Sequence, residues 1–392
     1  MKIVFVSNYY NHHQSALSQA FYKYTQGEYR FIQTVPMEEE RIKMGWGENL
    51  PNFVIESYKD KETFQKCKEL VFNADVVIVG GCHEVEKLVH RRIKANKLTF
   101  RYSERIYKNW KNRLTIPLRF IKYHWANSKN TYLLCASAYA AKDYALTGNF
   151  IGKAYKWGYF PAVKKYENIE KLIADKTPVS ILWVARLIEW KHPELPIKIA
   201  KSLKESGYKF QLSLIGNGEL ESKIRELIKS EGVEDCVTML GAMKPEEVRK
   251  HMEQSEIFLF TSDFNEGWGA VLNESMNSAC AVVASHAIGS VPFLINDGEN
   301  GFIYKNGDED DLFNKVKFLL DNSEKRKEMS LKAYKTMAET WNAEVAAQRL
   351  ITLAYNLLKG NQVSTIYVDG PCSSAEIIDN YWYKNVIKNK IN

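Results

Sequence analysis

Long apolar runs are missing from this 392-residue chain. No stretch approaches the roughly 20 apolar residues of a membrane-spanning helix. The apolar run within residues 1–8 is too short for a signal peptide, and it is typical of a first strand. We therefore predict a cytoplasmic protein that could meet a membrane only from its surface.

Cysteine is also scarce, and its spacing is typical of a cytosolic protein. The six cysteines are residues 67, 82, 135, 236, 280 and 372. None forms a Cys-x-x-Cys pair and several lie in apolar runs, so we predict reduced, mostly buried thiols. No Gly-x-Gly-x-x-Gly follows the first strand, and the dinucleotide-binding fingerprint is therefore absent.

Apolar strand patterns and helical patterns alternate along both halves of the chain. Strands are predicted over residues 2–7, 29–34, 76–79, 132–136 and 154–157, and then over residues 179–185, 210–215, 237–240, 257–260 and 281–284. This alternation predicts right-handed parallel βαβ units, and the length predicts two domains. The expected fold class is α/β: two Rossmann-like doubly wound parallel-sheet domains facing a cleft, with ligands at the carboxyl ends of the strands.

The predicted domain boundaries follow from changes in pattern. Residues 1–164 form an N-terminal domain and residues 177–340 a C-terminal domain, with a charged linker between them. Residues 341–392 contain helices and a tail, which we expect to cross back to the N-terminal domain. A tyrosine-rich helix is predicted within the tail, over residues 375–388.

The stretch Asn265–Asn277 has the clearest chemistry. It follows a predicted buried strand and contains two carboxylates, Glu266 and Glu274, with Gly267 and Gly269 after the first. A strand, a glycine loop and a helix start direct backbone N–H groups at a ligand above the strand. Glu274 could accept hydrogen bonds from two adjacent hydroxyls, as a ribose diol presents, and Glu266 could accept from sugar hydroxyls. The alternative is that one Glu caps the helix and the other is solvated.

Two further groups follow other predicted strands. Arg186 and Lys191 lie between a strand and a helix, where two cations suit a diphosphate. Solvated surface charge is the alternative. Gly216, Asn217 and Gly218 follow the next strand, and their glycines permit the close approach of a ligand. Taken alone, a plain turn explains them equally well.

The order of these motifs over roughly residues 179–305 resembles that of the family 4 (group 1) glycosyltransferases of the GT-B fold. The matching pieces are Arg186 with Lys191, Gly216-Asn217-Gly218-Glu219-Leu220, the strand end at 237–241, Glu266-Gly267-Trp268-Gly269 with Glu274, and Asp297-Gly298-Glu299-Asn300-Gly301. The resemblance implies a retaining transfer from a nucleotide diphosphate-sugar, commonly a UDP-sugar, with no metal and no other cofactor.

The same resemblance implies roles for individual residues. Arg186 and Lys191 would hold the diphosphate, Glu274 the ribose, and Glu266 with the backbone after it the sugar. The implied donor-binding set is Arg186, Lys191, Gly216, Asn217, Gly218, Leu240, Gly241, Ala242, Glu266, Gly267, Trp268, Gly269, Ala270 and Glu274, with 240–242 beside the base. The implied catalytic set is Glu266, His83, Arg186 and Lys191.

The N-terminal half resembles the family more loosely. Asn11, His12, His13 and Gln14 replace the usual glycine-rich loop after the first strand, as in polysaccharide and capsule transferases, and form a possible acceptor or sugar loop. His83 follows the strand at 76–79, where related enzymes often have a His near the donor sugar. An ordinary loop histidine is the alternative for His83.

Charge determines the expected mechanism. Negative charge grows on the departing diphosphate, so cations and helix N-termini aimed at it stabilise the transition state selectively, one such group by roughly 3 kcal/mol. The family suggests that the leaving phosphate itself takes the proton of the acceptor. Asp308-Glu309-Asp310 has an Asp-x-Asp spacing, but it opens a predicted helix, where acids are favoured, and we predict a helix start there and not a metal site.

Basic residues are concentrated in one segment. Residues 87–129 contain 13 Lys or Arg and one acid, Glu104, which gives a net charge of +12 in a chain whose net charge is +7. Interleaved aromatic residues make this segment suited to an anionic membrane surface. A solvated face is the alternative. Nucleic acid is not expected as a partner, because no nucleic-acid-binding motif is present.

The sequence therefore predicts a peripheral enzyme on the inner face of the cell membrane. It would use a nucleotide-sugar and a glycan or lipid-linked acceptor to build a bacterial surface polysaccharide, such as capsule or lipopolysaccharide. Two alternatives stay open. One is a non-catalytic nucleotide-sugar-binding partner subunit, and the other is a GT-B sugar-nucleotide epimerase, which would consume the donor without an acceptor.

Overall fold

The computed structural model describes residues 1–38, 50–80, 84–108, 111, 114–363 and 366–384. The described chain divides into two compact domains. The first comprises Met1–Ala162 and Trp341–Asp379, and the second comprises Val163–Thr340 and, from Asn380, the C-terminal end of the described chain. Each domain is built on a parallel sheet with helices.

The sheet of the first domain contains seven strands among the described residues. They are β1 (Ile3–Ser7), β2 (Tyr29–Gln33), β3 (Val54–Glu56), β4 (Val76–Val79), β5 (Thr99–Ser103), β6 (Thr131–Cys135) and β7 (Ala154–Lys156). Their spatial order is β3-β2-β1-β4-β5-β6-β7, with every pair parallel. The accompanying helices are α1 (His12–Tyr24), α2 (Lys61–Asn73), α3 (Val85–Lys94), α4 (Ile116–Ala126) and α5 (Ala140–Ala145).

The second domain has a six-stranded parallel sheet in its described part. Its strands are β8 (Thr177–Val184), β9 (Gln211–Ile215), β10 (Val237–Gly241), β11 (Ser255–Phe260), β12 (Ala281–Ser285) and β13 (Phe302–Tyr304), in the spatial order β10-β9-β8-β11-β12-β13. Its helices are α6 (Ile169–Ala174), α7 (Glu194–Glu205), α8 (Glu221–Ser230), α9 (Pro245–Gln254), α10 (Val271–Asn277), α11 (Val291–Leu294), α12 (Glu309–Asp321) and α13 (Ser323–Lys335). Helix α14 (Ala343–Leu358) belongs to the first domain.

The central strands read as continuous apolar runs because helices cover both faces of a parallel sheet. All four residues of β4, Val-Val-Ile-Val, are buried, and so are all five of β12. The predicted fold class is confirmed: the chain folds into two Rossmann-like α/β domains. Three strands escaped prediction. β3 and β13 have only three residues each, and β5, Thr-Phe-Arg-Tyr-Ser, lies inside the basic segment.

The segment predicted as a charged linker is more ordered than expected. It contains α6, and its last residue, Lys176, is buried. The Lys176 ammonium donates to the main-chain oxygens of Met252, Glu253, Ser255 and Ser278 at 2.8–3.1 Å. Most of these carbonyls end α9 and α10, whose last turns lack partners within the helix. Burial lowers the pKa of Lys176.

The C-terminal tail departs from its predicted structure. The tyrosine-rich helix predicted over residues 375–388 is wrong over 375–382, which form no helix. The tail is instead held by aromatic contacts within the second domain. The Tyr383 ring stacks on His286 with a centroid distance of 5.2 Å, and the Tyr383 hydroxyl donates to the main-chain oxygen of Ile303 at 2.7 Å.

Several cations of the basic segment are internal. Arg92 is buried and donates to the main-chain oxygens of residues 71, 74, 75 and 98 at 2.5–3.0 Å, and burial lowers its pKa to about 10. Arg101 is bound to Glu86 at 2.5 Å, and the buried Arg105 lies 3.6 Å from Asp143. These three cations cannot contact a membrane, and the predicted membrane surface over all of 87–129 is wrong for them.

Within the described ranges, none of the helices combines the length and the apolar character needed to cross a bilayer.

Replacement of Arg92 tests the internal role of its charge. In Arg92→Leu, four main-chain carbonyl oxygens at the end of α2 and before β5 lose their donor. We expect a loss of about 2–4 kcal/mol in the free energy of unfolding, measured by urea denaturation. The control is Arg91→Leu on the same helix, whose exposed ion pair with Glu69 should contribute at most about 1 kcal/mol. Equal losses in the two variants would contradict this role for Arg92.

Candidate functional site

The strand order of the second domain reverses between β8 and β11. From β8 the chain adds β9 and β10 on one side, and then β11, β12 and β13 on the other. Loops leaving the carboxyl ends of β8 and β11 therefore diverge, and the crevice at such a point is where open α/β sheets bind ligands. The predicted cations Arg186 and Lys191 follow β8, and Glu266 follows β11.

Lys191 and Glu266 form an ion pair across this point. The Lys191 ammonium donates to Glu266 Oε2, and Ser262 Oγ donates to the same oxygen at 3.1 Å. Both side chains are largely buried, with 12% and 9% exposed. The ammonium also lies 4.2 Å from the ring centroid of Trp190. The structure therefore brings two predicted residues together, and the charge of Lys191 is already balanced by a carboxylate.

A buried hydroxyl joins the two loops. Thr261 Oγ1 accepts from the indole Nε1 of Trp183 at 2.8 Å and donates to the main-chain oxygen of Lys191 at 2.7 Å. Nearby, the Asp263 amide donates to the Trp190 carbonyl at 3.1 Å. Because Trp183 is on β8 and Thr261 follows β11, the strand and both loops are cross-linked. Tertiary contacts therefore fix the main chain of Lys191.

The glycine turn after β9 packs against the loop after β8. A Cβ on Gly216 would lie 1.8 Å from the carbonyl oxygen of Ala185, and a Cβ on Gly218 would lie 2.4 Å from that of Leu187. The sequence predicts that these glycines permit the approach of a ligand. The structure shows a different reason for glycine at both positions: the main chains of the two loops pass too closely for a side chain.

The same turn connects β9 to the end of β10. The Gly216 amide donates to the Gly241 carbonyl at 2.8 Å, and Asn217 accepts from the Leu187 amide at 2.8 Å through its main-chain oxygen. Leu240 and Gly241 end β10, and Ala242 follows as an exposed residue. These predicted residues therefore share the sheet edge with the loop of Arg186.

Arg186 is an exposed cation at this edge of the sheet. Its side chain is exposed and lies 6.0 Å from the ring centroid of Trp190. Across the described ranges of the chain, no carboxylate pairs with it. Unlike Lys191, Arg186 is therefore available to an anionic ligand without losing an internal partner.

Glu274 places a carboxylate on α10 that has no partner among the described residues. The residue is partly buried, and no residue that the structure describes donates a hydrogen bond to its carboxylate or pairs with it. Its main-chain oxygen accepts from Ser278 Oγ at 2.9 Å. Burial raises the pKa of Glu274, and the nearby charge of Arg249 opposes this effect. Neither Glu266 nor Glu274 caps the helix, contrary to the alternative considered from the sequence.

The loop between the two carboxylates can offer mainly its backbone. The Trp268 side chain is fully buried, and its Nε1 donates to Asn273 Oδ1 at 2.9 Å. Trp268 could therefore contact a ligand through its main chain, which is the kind of contact that the resemblance implies for the residues after Glu266. The main-chain oxygen of Glu266 accepts from the Gly289 amide at 3.3 Å, which supports the loop from the side of β12.

His192 adds a charged link beside Lys191. Its Nδ1 lies 2.8 Å from Glu194 Oε1, and its Nε2 lies 3.7 Å from Asp263 Oδ2. Asp263 and Glu194 raise the pKa of His192 to about 9, and burial opposes them. His192 is therefore protonated at neutral pH and attracts the loop after β11 to the start of α7.

In the first domain, the predicted loop after β1 is largely helical. Helix α1 begins at His12, within the predicted loop, and Asn11 caps it by accepting from the His13 amide at 2.9 Å. The His12 and His13 rings lie 3.9 Å apart, and Gln14 is buried. Asn11 therefore has a structural role. His83 lies outside the described residues, and its predicted role stays a prediction.

The acidic stretch after β13 starts a helix, as predicted. Asp308 caps α12 by accepting from the Asp311 amide at 3.1 Å. In the part of the chain that the structure describes, no group of three or more His, Cys, Asp or Glu side chains is arranged to hold a metal ion.

This arrangement of loops has counterparts in known proteins. Residues 164–336 match the family model of the group 1 glycosyl transferases. This segment lies within the second domain and contains Arg186, Lys191, Glu266 and Glu274. The predicted resemblance to group 1 glycosyltransferases is therefore confirmed for this segment, whereas membership of family 4 stays a prediction.

Curated relatives align with less than half of the chain. The amylovoran biosynthesis glycosyltransferase AmsK of Erwinia amylovora is 33% identical over 146 residues, which cover 36% of each chain. The N-acetylgalactosamine-N,N'-diacetylbacillosaminyl-diphospho-undecaprenol 4-alpha-N-acetylgalactosaminyltransferase of Campylobacter jejuni is 33% identical over 160 residues, 41% of each chain. The chain thus spans about two fifths of the length of these group 1 relatives, or less.

Solved structures resemble nearly the whole chain. HepE from Anabaena, in complex with UDP and glucose, has a TM-score of 0.65 at 14% identity, over 91% of this chain and 100% of that one. The pneumococcal O-GlcNAc transferase GtfA, in complex with UDP and GlcNAc, has a TM-score of 0.65 at 12% identity, over 91% and 99%. At these identities the likeness shows the fold alone, which is that of GT-B glycosyltransferases.

Four residues of the site were not predicted from the sequence. Thr261, Ser262 and Asp263 follow β11 directly, and His192 follows Lys191. Three polar residues immediately after a buried apolar strand are a signal that could have identified the loop. Nothing local indicates that Thr261 bonds to Trp183 and Lys191, because these partners lie 78 and 70 residues earlier.

The Thr261 link can be tested by removing its hydroxyl. In Thr261→Val, the Trp183 indole N–H and the Lys191 carbonyl lose a buried partner. We expect the free energy of unfolding to fall by about 1–3 kcal/mol in urea denaturation. The control is Thr238→Val, an exposed strand residue of the same domain, which should change stability by less than about 0.5 kcal/mol. The same small effect at both positions would contradict the link.

The His192 link predicts a pH dependence of stability. Folding raises the pKa of His192 from about 6.5 to about 9. Protonated His192 therefore adds its full contribution to the free energy of unfolding below pH 6.5, and this contribution disappears as pH rises through 9. We expect wild type to be more stable than His192→Gln at pH 6 and this difference to vanish by pH 10, in thermal denaturation across that range. A difference that stays constant with pH would refute a charged His192.

Proposed function

We propose that this protein transfers a sugar from a nucleotide diphosphate-sugar to a glycan or lipid-linked acceptor in the synthesis of a bacterial surface polysaccharide. The observation that carries the proposal is that two charged side chains of the second domain, Arg186 and Glu274, have no partner of opposite charge among the described residues. Arg186 is a cation without a described carboxylate partner, and Glu274 is a partly buried carboxylate without a described donor. A nucleotide diphosphate presents the complementary groups, an anionic diphosphate and a ribose diol.

Glu274 suits the ribose. A deprotonated carboxylate can accept a hydrogen bond on each oxygen, and the two ribose hydroxyls are adjacent donors. Removing a carboxylate from water is unfavourable, as the raised pKa of Glu274 indicates. Two hydrogen bonds from a ligand would restore the lost solvation. We therefore infer that nucleotide binding keeps Glu274 ionised.

Arg186 and Lys191 suit the diphosphate. Arg186 can bind phosphate oxygens in a bidentate manner, and Lys191 contributes a point charge on the same loop. In the structure, Lys191 is bound to Glu266, so a diphosphate would compete with or share that ammonium. Sharing would leave Glu266 able to accept from a sugar hydroxyl while its charge stays partly balanced.

The proposed reaction is a displacement at the anomeric carbon with retention of configuration. The bond from this carbon to the diphosphate oxygen breaks, and its electron pair leaves with the nucleotide. The acceptor hydroxyl forms the new bond, and its proton passes to the departing phosphate. Arg186 and Lys191 would stabilise the growing negative charge, and this assigns the role of a metal ion to side chains. We propose a UDP-sugar as donor, since the HepE and GtfA structures contain UDP.

The decisive experiment combines binding and turnover. A panel of nucleotide-sugars is screened by thermal shift, because a ligand that binds the folded state raises apparent stability. The sugars that bind are then incubated with and without a lipid-linked or glycan acceptor. Release of nucleotide that depends on an acceptor supports the proposal. Binding without turnover would indicate a non-catalytic partner subunit, and donor consumption without any acceptor would indicate an epimerase.

Glu274→Ala tests the site itself. It should remove the two hydrogen bonds to the ribose, each worth about 1.5–3 kcal/mol because the acceptor is charged. We therefore expect donor affinity to fall at least about a hundredfold and turnover to be lost, while the melting temperature without ligand changes little. Glu226→Ala, at an exposed position on α8, is the matched control. Normal turnover in Glu274→Ala would refute the site.

A further inference from the structure

Helix α4 presents an apolar stripe to solvent. Leu118, Ile121 and Trp125 are 72%, 56% and 81% exposed, and Leu114, one turn before Leu118, is 72% exposed. Spacings of three and four residues place these side chains on one face of a helix. The stripe from residue 118 to residue 125 is about 10 Å long. No residue of α4 itself is buried.

The opposite face of α4 attaches the helix to its domain. The Tyr123 ring lies 5.2 Å from that of Tyr144, and Arg119 is bound to Thr115 Oγ1 at 2.9 Å. The Arg119 guanidinium also lies over the ring of Tyr107, at 5.3 Å. Arg119 and Tyr123 thus face the domain, and Leu118, Ile121 and Trp125 face solvent. In the usual surface helix the apolar stripe packs against the domain, whereas here it is exposed.

The surroundings of the stripe are positively charged. The sequence contains no acid between Glu104 and Asp143, and both of these are engaged, Glu104 with Lys108 and Asp143 with Arg105. Lys122 on the helix and Lys129 just after it are exposed. Lys122 and Lys129 are therefore cations beside the apolar stripe, whereas the exposed cations Lys87, Arg91, Lys94 and Lys111 lie outside the helix.

We propose that α4 is an interfacial helix that lies on an anionic lipid bilayer. Leu114, Leu118, Ile121 and Trp125 enter the boundary between headgroups and acyl chains, and Lys122 and Lys129 lie at the level of the phosphates. A second copy of this chain is a poorer occupant, since pairing two such faces would bring like charges together. An anionic surface supplies both the apolar layer and the opposite charge.

The proposed membrane-binding surface is smaller than the one expected from the sequence, and a different interaction dominates its binding. The sequence indicated attraction by many cations over residues 87–129, but Arg92, Arg101 and Arg105 are internal. Binding by α4 would depend on apolar insertion, with only a few cations assisting. It should therefore weaken with salt less steeply than purely electrostatic binding.

Flotation of the full chain with vesicles tests the proposal. We expect flotation with vesicles of phosphatidylglycerol and phosphatidylcholine at low salt, and at least tenfold weaker binding in the variant Leu118→Ser with Trp125→Ser. The control carries Ile151→Ser and Leu358→Ser, at exposed apolar positions outside α4, and should bind like wild type. Lys122→Gln with Lys129→Gln should weaken binding only at low salt.

Three results would overturn the proposal. The first is failure of wild type to float with anionic vesicles. The second is unchanged flotation of the Leu118→Ser, Trp125→Ser variant. The third is a concentration-dependent dimer in solution that the same variant abolishes, since the stripe would then be a contact between copies. Vesicle binding is measured without a sugar donor, so its outcome is independent of the proposed activity.

Discussion

The Thr261 hydroxyl is the contact on which the rest of the candidate site depends. It accepts from Trp183 within the sheet and donates to the main chain of Lys191 in the neighbouring loop. Through it, two loops that leave adjacent strands in different directions keep one relative position. The Lys191–Glu266 ion pair and the charged contacts of His192 join the same two loops that the neutral Thr261 hydrogen bond already connects. A site built in this way is held before any ligand arrives, which lowers the entropic cost of binding.

Both domains also use a buried cation to complete helix ends. Arg92 in the first domain and Lys176 in the second bind main-chain carbonyls, and among the described residues neither forms an ion pair with a carboxylate. Each group satisfies several orphan acceptors at once, at the cost of removing a charge from water. In the sequence both residues belong to charged stretches that indicate solvated surface. Charge density along a chain therefore overstates the charge that its surface presents.

The sequence predicted what repeats along the chain and missed what joins distant parts of it. The strand positions, the fold class and the order Arg186, Gly216, Glu266, Glu274 followed from apolar runs and from glycines after strands. The Asp308 helix start followed from local capping chemistry. The internal positions of Arg92 and Trp268, the pairing of Lys191 with Glu266 and the bond from Thr261 to Trp183 did not, since each depends on a partner chosen by tertiary packing. The exposed apolar stripe of α4 was missed for the same reason.

The chain passes between the two domains three times, after Ala162, after Thr340 and after Asp379. A single proteolytic cut at any one crossing would leave part of the first domain covalently joined to the second. No continuous stretch of sequence contains the first domain without also containing most of the second. Exchange of the first domain between related genes would therefore require recombination breakpoints at more than one crossing.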